Sequence, residues 1–180
     1  MPYAATHILG AIILAELFRG YFIKDNKKFP RYYILAAAIG GIIPDLDIGA
    51  YYLLYFFGFS YDQIHRTFLH TIFVPIALFS AGVFFLKTGI KSSEIRKRHL
   101  RLSTLLFIFA GGSILHLILD SILAGYIIPL YPLAYYSLGL NIVSSLPEGF
   151  RGIIAPTIDG ILILFWVFWM EFKLKISDYF

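Results

Sequence analysis

Long apolar runs separated by short polar segments dominate the chain and predict a bundle of membrane-spanning α-helices. A helix needs roughly 20 apolar residues to cross a bilayer, and five runs meet or approach this length. They cover residues 4–23, 29–43, 70–86, 102–123 and 152–170. The predicted fold class is therefore an all-α integral membrane protein, a bundle of about five transmembrane helices in a single membrane domain, residues 1–180.

Two further segments are apolar but do not have the pattern of a transmembrane helix. Residues 48–60 are short and rich in Tyr and Phe, and Tyr favours the headgroup region, so we expect a re-entrant or interfacial helix there. Residues 124–151 are rich in Pro, Gly and Tyr, which is typical of turns. We predict that this second segment is a lid-like loop.

The composition supports a membrane protein and restricts the chemistry available to it. Hydrophobic residues make up 59% of the chain and charged residues 14%, whereas soluble domains have about half and about a quarter. The chain has no cysteine, so any metal must bind to His, Asp or Glu. The basic residues occur in short runs between apolar segments, so we expect no nucleic-acid partner.

The distribution of Lys and Arg predicts how the helices are oriented. These residues concentrate in the segments 24–31 and 87–101 and in the C-terminal tail. By the positive-inside rule all three lie on the cytoplasmic side. The sequence thus predicts a multi-pass protein of the plasma or inner membrane with its N-terminus outside.

Seven His and Asp residues occur at the ends of the predicted spans. They are His7, Asp45, Asp47, His65, His70, His116 and Asp120. In the predicted orientation all seven fall on the non-cytoplasmic side. Ionisable side chains in apolar surroundings are costly unless they are paired, and a divalent cation pairs with them strongly. We therefore predict one shared metal site that faces the non-cytoplasmic side.

The spacing of these residues bears on the geometry of such a site. His116 and Asp120 are four residues apart and share one helix face. His65 and His70 are five apart, about 140° around an ideal helix, so we expect a break in the helix between them. The complete set exceeds the needs of one tetrahedral ion, so two ions are feasible. Zn²⁺ is the favoured ion for a His-rich site, with Mn²⁺ as the second choice.

Simpler interpretations exist for each part of the set. His7 is compatible with an ordinary hydrogen-bonding residue near the membrane surface, and His116 with Asp120 is compatible with a simple hydrogen bond. Asp45 and Asp47 follow a proline and suit helix capping. The shared-site hypothesis is favoured because the simpler interpretations require several coincidences on one side of the membrane.

Arg66 lies directly beside one of the predicted ligands and carries the charge that a phosphate group requires. A guanidinium binds phosphate through two parallel hydrogen bonds. Arg66 and Asp47 are the candidate catalytic residues, the first to bind the phosphate and the second as a base. A surface that only binds lipid headgroups is the alternative for Arg66 with its neighbouring histidines. Asp159 interrupts the last apolar run and suits either a cavity lining or an interhelical hydrogen bond.

The motifs and their order resemble those of a known family. Thr6-His7 with Gly10, then Pro44-Asp45-Leu46-Asp47, then His65-Arg66-Thr67-Phe68-Leu69-His70-Thr71, and finally His116 with Asp120 resemble the YdjM-like family of membrane-bound, metal-dependent hydrolases. The resemblance covers about residues 4–132 and implies that the seven His and Asp residues are metal ligands or catalytic groups. Leu69 and Thr71 depart from the family pattern of Thr before the second His of the third motif and Ser after it.

Together these observations favour a membrane-embedded metal-dependent hydrolase that acts on a lipid-like or amphiphilic substrate. A phosphoester is the favoured bond. Two other functions stay open at this point. A proton- or ion-coupled transporter also uses intramembrane His and Asp, but it should show two similar halves, and the sequence has no internal repeat. A non-catalytic lipid-binding scaffold is the third.

Overall fold

The computed structural model describes residues 4–25, 27–88, 101–123 and 125–175. In these ranges the regular secondary structure is helical apart from one isolated antiparallel bridge, between Ile127 and Leu138, and turns and loops connect the helices. The α-helices are α1 (Ala4–Phe18), α2 (Tyr32–Gly40), α3 (Leu46–Leu54), α4 (Tyr61–Ile64), α5 (Phe73–Thr88), α6 (Leu102–Leu123) and α7 (Glu148–Leu174). A π-helical turn, Arg19–Ile23, extends α1, and short 3₁₀ turns occur at Tyr55–Phe57 and Ile142–Ser145. The predicted all-helical fold class is confirmed for this part of the chain.

Three helices in the described ranges are long and apolar enough to cross a membrane. They cover Ala4–Ile23, Leu102–Leu123 and Glu148–Lys173, which correspond to the first, fourth and fifth predicted spans. Helix α2 has nine residues and α5 has 16, which correspond to about 14 and 24 Å, short of the roughly 30 Å of a hydrocarbon core. The count of five spans is thus supported for three helices, and membrane crossing by α2 and α5 stays a prediction.

The two segments without a spanning pattern adopt short elements. The aromatic segment forms α3 and the following 3₁₀ turn, and its Tyr52, Phe56 and Phe57 side chains are exposed. The predicted lid-like segment, residues 124–151, ends earlier than expected because α7 already begins at Glu148. We use the term lid loop for residues 125–147. Its position in a membrane interface or over a substrate stays a prediction.

The helices pack closely where their residues are small. Ala36, Ala37 and Ala38 of α2 are buried, and α2 packs against α1 and α6. At Gly40 the two backbones touch, since a Cβ atom on Gly112 of α6 would lie 2.7 Å from the Gly40 carbonyl carbon. The short helix α2 can approach α6 this closely only because both positions are glycine.

Replacing Gly112 by alanine tests this contact. The added methyl group has no room against the backbone of α2, so we expect a loss of about 1–3 kcal/mol of stability, as for other overpacked sites. Thermal unfolding of the purified protein in detergent measures the effect. Gly111→Ala is the matched control, because nothing lies within 4 Å of a Cβ atom at the adjacent glycine. Equal stability of the two variants would contradict the proposed backbone contact.

Candidate metal centre

The fold brings all seven predicted His and Asp residues into one cluster. His7 comes from α1, Asp45 from the turn that precedes α3, and Asp47 from the first turn of α3. The remaining four come from the segment between α4 and α5 and from α6: His65, His70, His116 and Asp120. All except Asp45 are buried. Residues that are up to 113 positions apart in the sequence, from His7 to Asp120, therefore share one polar interior.

The predicted break between His65 and His70 is confirmed. Helix α4 ends at Ile64, and His65 has an extended backbone with φ −70° and ψ 138°. Arg66 follows with φ 63°, in the left-handed region that non-glycine residues rarely adopt. This change of direction allows both imidazoles to face the same carboxylate.

That carboxylate is Asp47, which accepts hydrogen bonds from three donors. His65 Nδ1 lies 2.9 Å from Asp47 Oδ1, and His70 Nδ1 lies 2.8 Å from Asp47 Oδ2. The backbone N–H of Arg66 donates to Asp47 Oδ2 at 3.0 Å. Because a carboxylate accepts these bonds, each imidazole carries its proton on Nδ1 and turns Nε2 away from Asp47.

These contacts also keep Asp47 ionised. Burial raises the pKa of the Asp47 carboxyl, but the hydrogen bonds from His65 and His70 lower it by more. The resulting pKa lies well below the usual range of an aspartate. Asp47 is outside the three candidate membrane spans and is a permanent negative charge at neutral pH.

His116 is oriented in the same way by a backbone carbonyl. Its Nδ1 lies 2.7 Å from the carbonyl oxygen of Gly41, which can only accept a hydrogen bond, so Nδ1 is the protonated nitrogen. One helical turn earlier, the Ser113 hydroxyl donates to the carbonyl of Gly40 at 3.2 Å. The contact between α2 and α6 thus determines which way the His116 ring faces.

Four atoms with available electron pairs meet at the centre of the cluster. They are His70 Nε2, His116 Nε2, Asp45 Oδ1 and Asp120 Oδ2. The two Nε2 atoms are 3.3 Å apart, and they lie 3.6 and 3.5 Å from Asp45 Oδ1 and 3.5 and 3.8 Å from Asp120 Oδ2. When these two imidazoles are neutral and carry their proton on Nδ1, each Nε2 presents an electron pair to the centre.

The separations match the coordination shell of a metal ion. Zinc ligands lie about 2.0–2.2 Å from the ion in a tetrahedron, so neighbouring ligand atoms are about 3.3–3.6 Å apart. Five of the six separations among the four atoms are those given above, and they run from 3.3 to 3.8 Å. The donor set is also suitable, because imidazole nitrogen and carboxylate oxygen bind divalent cations. Asp45, His70 and His116 form one group that could hold a metal ion, and Asp120 Oδ2 lies beside the two nitrogens of this group.

Two other polar side chains lie at the edge of this centre. The ring of His7 stacks on His116 at 3.8 Å, and its Nε2 lies 3.4 Å from Asp120 Oδ1. Arg66 Nη2 lies 3.8 Å from Asp120 Oδ2. His7 with His116 and Asp120, and His65 with Asp47 and His70, form further groups of possible ligands. The role of each of the seven residues as a ligand stays a prediction.

Sequence reasoning missed two groups that shape the site, the Gly41 carbonyl and Ser113. A signal for them was present, because Gly112 and Ser113 precede His116 by four and three residues and so share its helix face. Asp159 accepts a hydrogen bond from the Thr6 hydroxyl. This contact joins α7 to α1 beside His7 and agrees with the interhelical alternative for Asp159.

Removing a ligand from the centre should remove the metal. We expect the purified wild type to retain stoichiometric divalent metal and the His70→Ala and Asp120→Ala proteins to lose it. Asp47→Asn should bind the metal more weakly, by about 10–100-fold, because residues that hydrogen-bond to histidine ligands have effects of this size. Elemental analysis of protein purified without chelators measures the metal content.

His99→Ala is the control for histidine content, since His99 lies outside the described residues and the cluster contains the other four histidines. Metal content that is the same in the wild type, His70→Ala and Asp120→Ala would contradict the proposed centre.

Comparison with known proteins gives one match. No curated protein and no solved structure shows significant similarity to the chain. The profile of the YdjM inner membrane protein family matches residues 1–174, nearly the entire chain. This match agrees with the motif resemblance and with the three apolar helices. The chain therefore belongs to the YdjM inner membrane protein family.

Proposed function

We propose that this protein is a membrane-embedded metal-dependent hydrolase that cleaves a phosphoester bond in a lipid-like substrate. The observation that carries the proposal is the convergence of His70 Nε2, His116 Nε2, Asp45 Oδ1 and Asp120 Oδ2 at distances of 3.3–3.8 Å. Four buried or half-buried atoms with electron pairs that face one another form a favourable site for a cation.

The four central residues are the ligands of one ion in this proposal. Zn²⁺ is the favoured ion because two of the four ligand atoms are imidazole nitrogens, and Mn²⁺ is the second choice. Such an ion supplies Lewis-acid chemistry, in which it activates a water molecule and polarises the phosphoryl oxygen. Asp47 and His7 are better suited to orienting the ligands. Both carboxylate oxygens of Asp47 accept hydrogen bonds, from His65, His70 and the backbone N–H of Arg66, which favours this orienting role.

The exposure of the site residues indicates how a substrate reaches it. The side chains of Asp45 and Arg66 are 16% and 17% exposed, whereas those of His70, His116 and Asp120 are at most 1% exposed. The centre is therefore accessible on the side of Asp45 and Arg66. Next to them in the chain, Leu46 and Phe68 are exposed apolar residues. An amphiphile whose phosphate binds at Arg66 and whose apolar part contacts these side chains fits this arrangement.

A hydrolysis assay tests the proposed function. We expect the zinc-loaded protein in mixed micelles to release inorganic phosphate from a phosphomonoester lipid faster than from water-soluble p-nitrophenyl phosphate. Arg66→Ala should lower kcat/KM about 100-fold or more, because it removes a charge that stabilises the transition state. His70→Ala should abolish the activity. Arg31→Ala removes an exposed arginine distant from the site and is the matched control.

The assay also separates the alternatives. Stoichiometric metal without hydrolysis of any phosphoester would contradict the hydrolase. Metal transport into sealed vesicles would then favour the transporter, which is the second function compatible with buried His and Asp residues.

We further propose that the site faces the non-cytoplasmic side, with the lid loop outside and the basic loop 24–31 inside. Because the chain has no cysteine, single cysteines can be introduced without background labelling. In right-side-out vesicles a membrane-impermeant maleimide should label Ser144→Cys at once, and Lys28→Cys only after permeabilisation. Both positions are exposed. The reverse labelling pattern would contradict the proposed orientation.

A further inference from the structure

The guanidinium of Arg66 has N–H groups for which no described residue provides a hydrogen-bond acceptor. Its Nε and Nη2 atoms are buried and have no hydrogen-bond acceptor in the described part of the chain. The nearest carboxylate oxygen, Asp120 Oδ2, is 3.8 Å from Nη2, beyond hydrogen-bond distance. Buried charged donors without acceptors are strongly unfavourable, so these atoms require a ligand that the protein does not supply. An anion bound between Arg66 and the four-atom centre would supply the acceptors.

The backbone of Arg66 is held in place by the metal centre itself. Its left-handed conformation is sterically unfavourable for a residue with a Cβ atom. The hydrogen bond from its N–H to Asp47 stabilises this conformation, and the same oxygen accepts a hydrogen bond from His70. The Asp47 carboxylate therefore orients both His70, a predicted metal ligand, and the backbone from which the Arg66 side chain extends.

The far end of that side chain rests on the lid loop. A Cβ atom on Gly125 would overlap Nη1 of Arg66 and lie 2.8 and 2.9 Å from Cζ and Nη2. Gly125 is itself covered by the other half of the lid loop, since a Cβ atom on Gly139 would overlap the Gly125 carbonyl oxygen. Two hydrogen bonds between Ile127 and Leu138, of 2.9 and 2.8 Å, join the two halves. The guanidinium thus lies against a backbone surface that only glycine can provide.

We infer that Gly125, backed by Gly139, is a positioning residue that seats the Arg66 guanidinium beside the metal centre, where it binds the phosphate group of the substrate. This inference rests on the proposed function for the identity of the anion, and on the geometry alone for the role of Gly125. The lid loop is then part of the anion site and not only a cover over it.

A double-mutant cycle with inorganic phosphate as the probe tests the inference. Isothermal titration of phosphate into the metal-loaded, detergent-solubilised protein measures affinity, and elemental analysis of each sample measures metal content. Arg66→Ala should weaken phosphate binding by about 10–100-fold at unchanged metal content, because charge-assisted hydrogen bonds are lost. Gly125→Ala should weaken it by about tenfold or more, since the new methyl group displaces the guanidinium.

The matched control is Gly149→Ala, at a glycine where nothing lies within 4 Å of a Cβ atom. It should bind phosphate as the wild type does. In the Arg66→Ala background, Gly125→Ala should have no further effect on phosphate affinity, because the group that it displaces is absent. Gly125→Ala should also remain folded, since only the end of a flexible side chain has to move.

Several results would overturn the inference. They are wild-type phosphate affinity in Gly125→Ala, an equal loss caused by Gly125→Ala in both backgrounds, unfolding of Gly125→Ala, and no phosphate binding by the wild type. Failure of the proposed function is distinguishable from these. If phosphate binds as predicted in all variants but no phosphoester is hydrolysed, the hydrolase fails and the anion site stands.

Discussion

The structure of the site depends on nitrogen and oxygen atoms that present electron pairs to one another in buried surroundings. His70 and His116 each donate a proton from Nδ1 and present Nε2 to the other at 3.3 Å, while Asp45 and Asp120 direct carboxylate oxygens to the same point. The side chains of His70, His116 and Asp120 are at most 1% exposed, so solvent separates these groups less than it would at a surface. A cation bound among them would convert the repulsion into bonding, which is the basis of the metal site proposed above.

Neighbouring residues hold the central side chains in these orientations. Asp47 orients one histidine and the Gly41 carbonyl orients the other. The second contact exists because Gly40 and Gly112 let α2 and α6 touch through their backbones. Short helices and turns supply Asp45, Asp47, His65 and His70, as expected where irregular backbone lines a polar interior in a membrane protein. The long helices supply the rest, so both long helices and irregular segments contribute residues to the cluster.

The Arg66 segment connects this centre to a possible substrate. Its left-handed backbone, its hydrogen bond to Asp47 and its contact with Gly125 place a positive charge at the accessible edge of the cluster. A cation with an arginine beside it is a suitable pair for a phosphate group, because both neutralise charge on its oxygens. The exposed apolar residues on that side agree with a substrate that enters from the membrane. These features support the hydrolase function that we propose for this member of the YdjM inner membrane protein family.

The sequence by itself determined the helical class, because apolar runs of membrane length leave little alternative to helices in lipid. The boundaries 4–23 and 102–123 agree with two of the described spans, and the five-residue spacing of His65 and His70 was sufficient to predict the break between them. The placement of the polar residues at one end of the predicted spans also indicated a single cluster.

The roles of these residues within the cluster were decided only by the tertiary structure. The imidazole nitrogen that faces the centre, the histidines that Asp47 orients, and the parts played by Gly41 and Gly125 all depend on hydrogen-bond partners and backbone contacts that arise when distant segments meet. A local sequence pattern indicates which residues share one face of a helix. It does not specify which atom of a distant segment lies opposite that face.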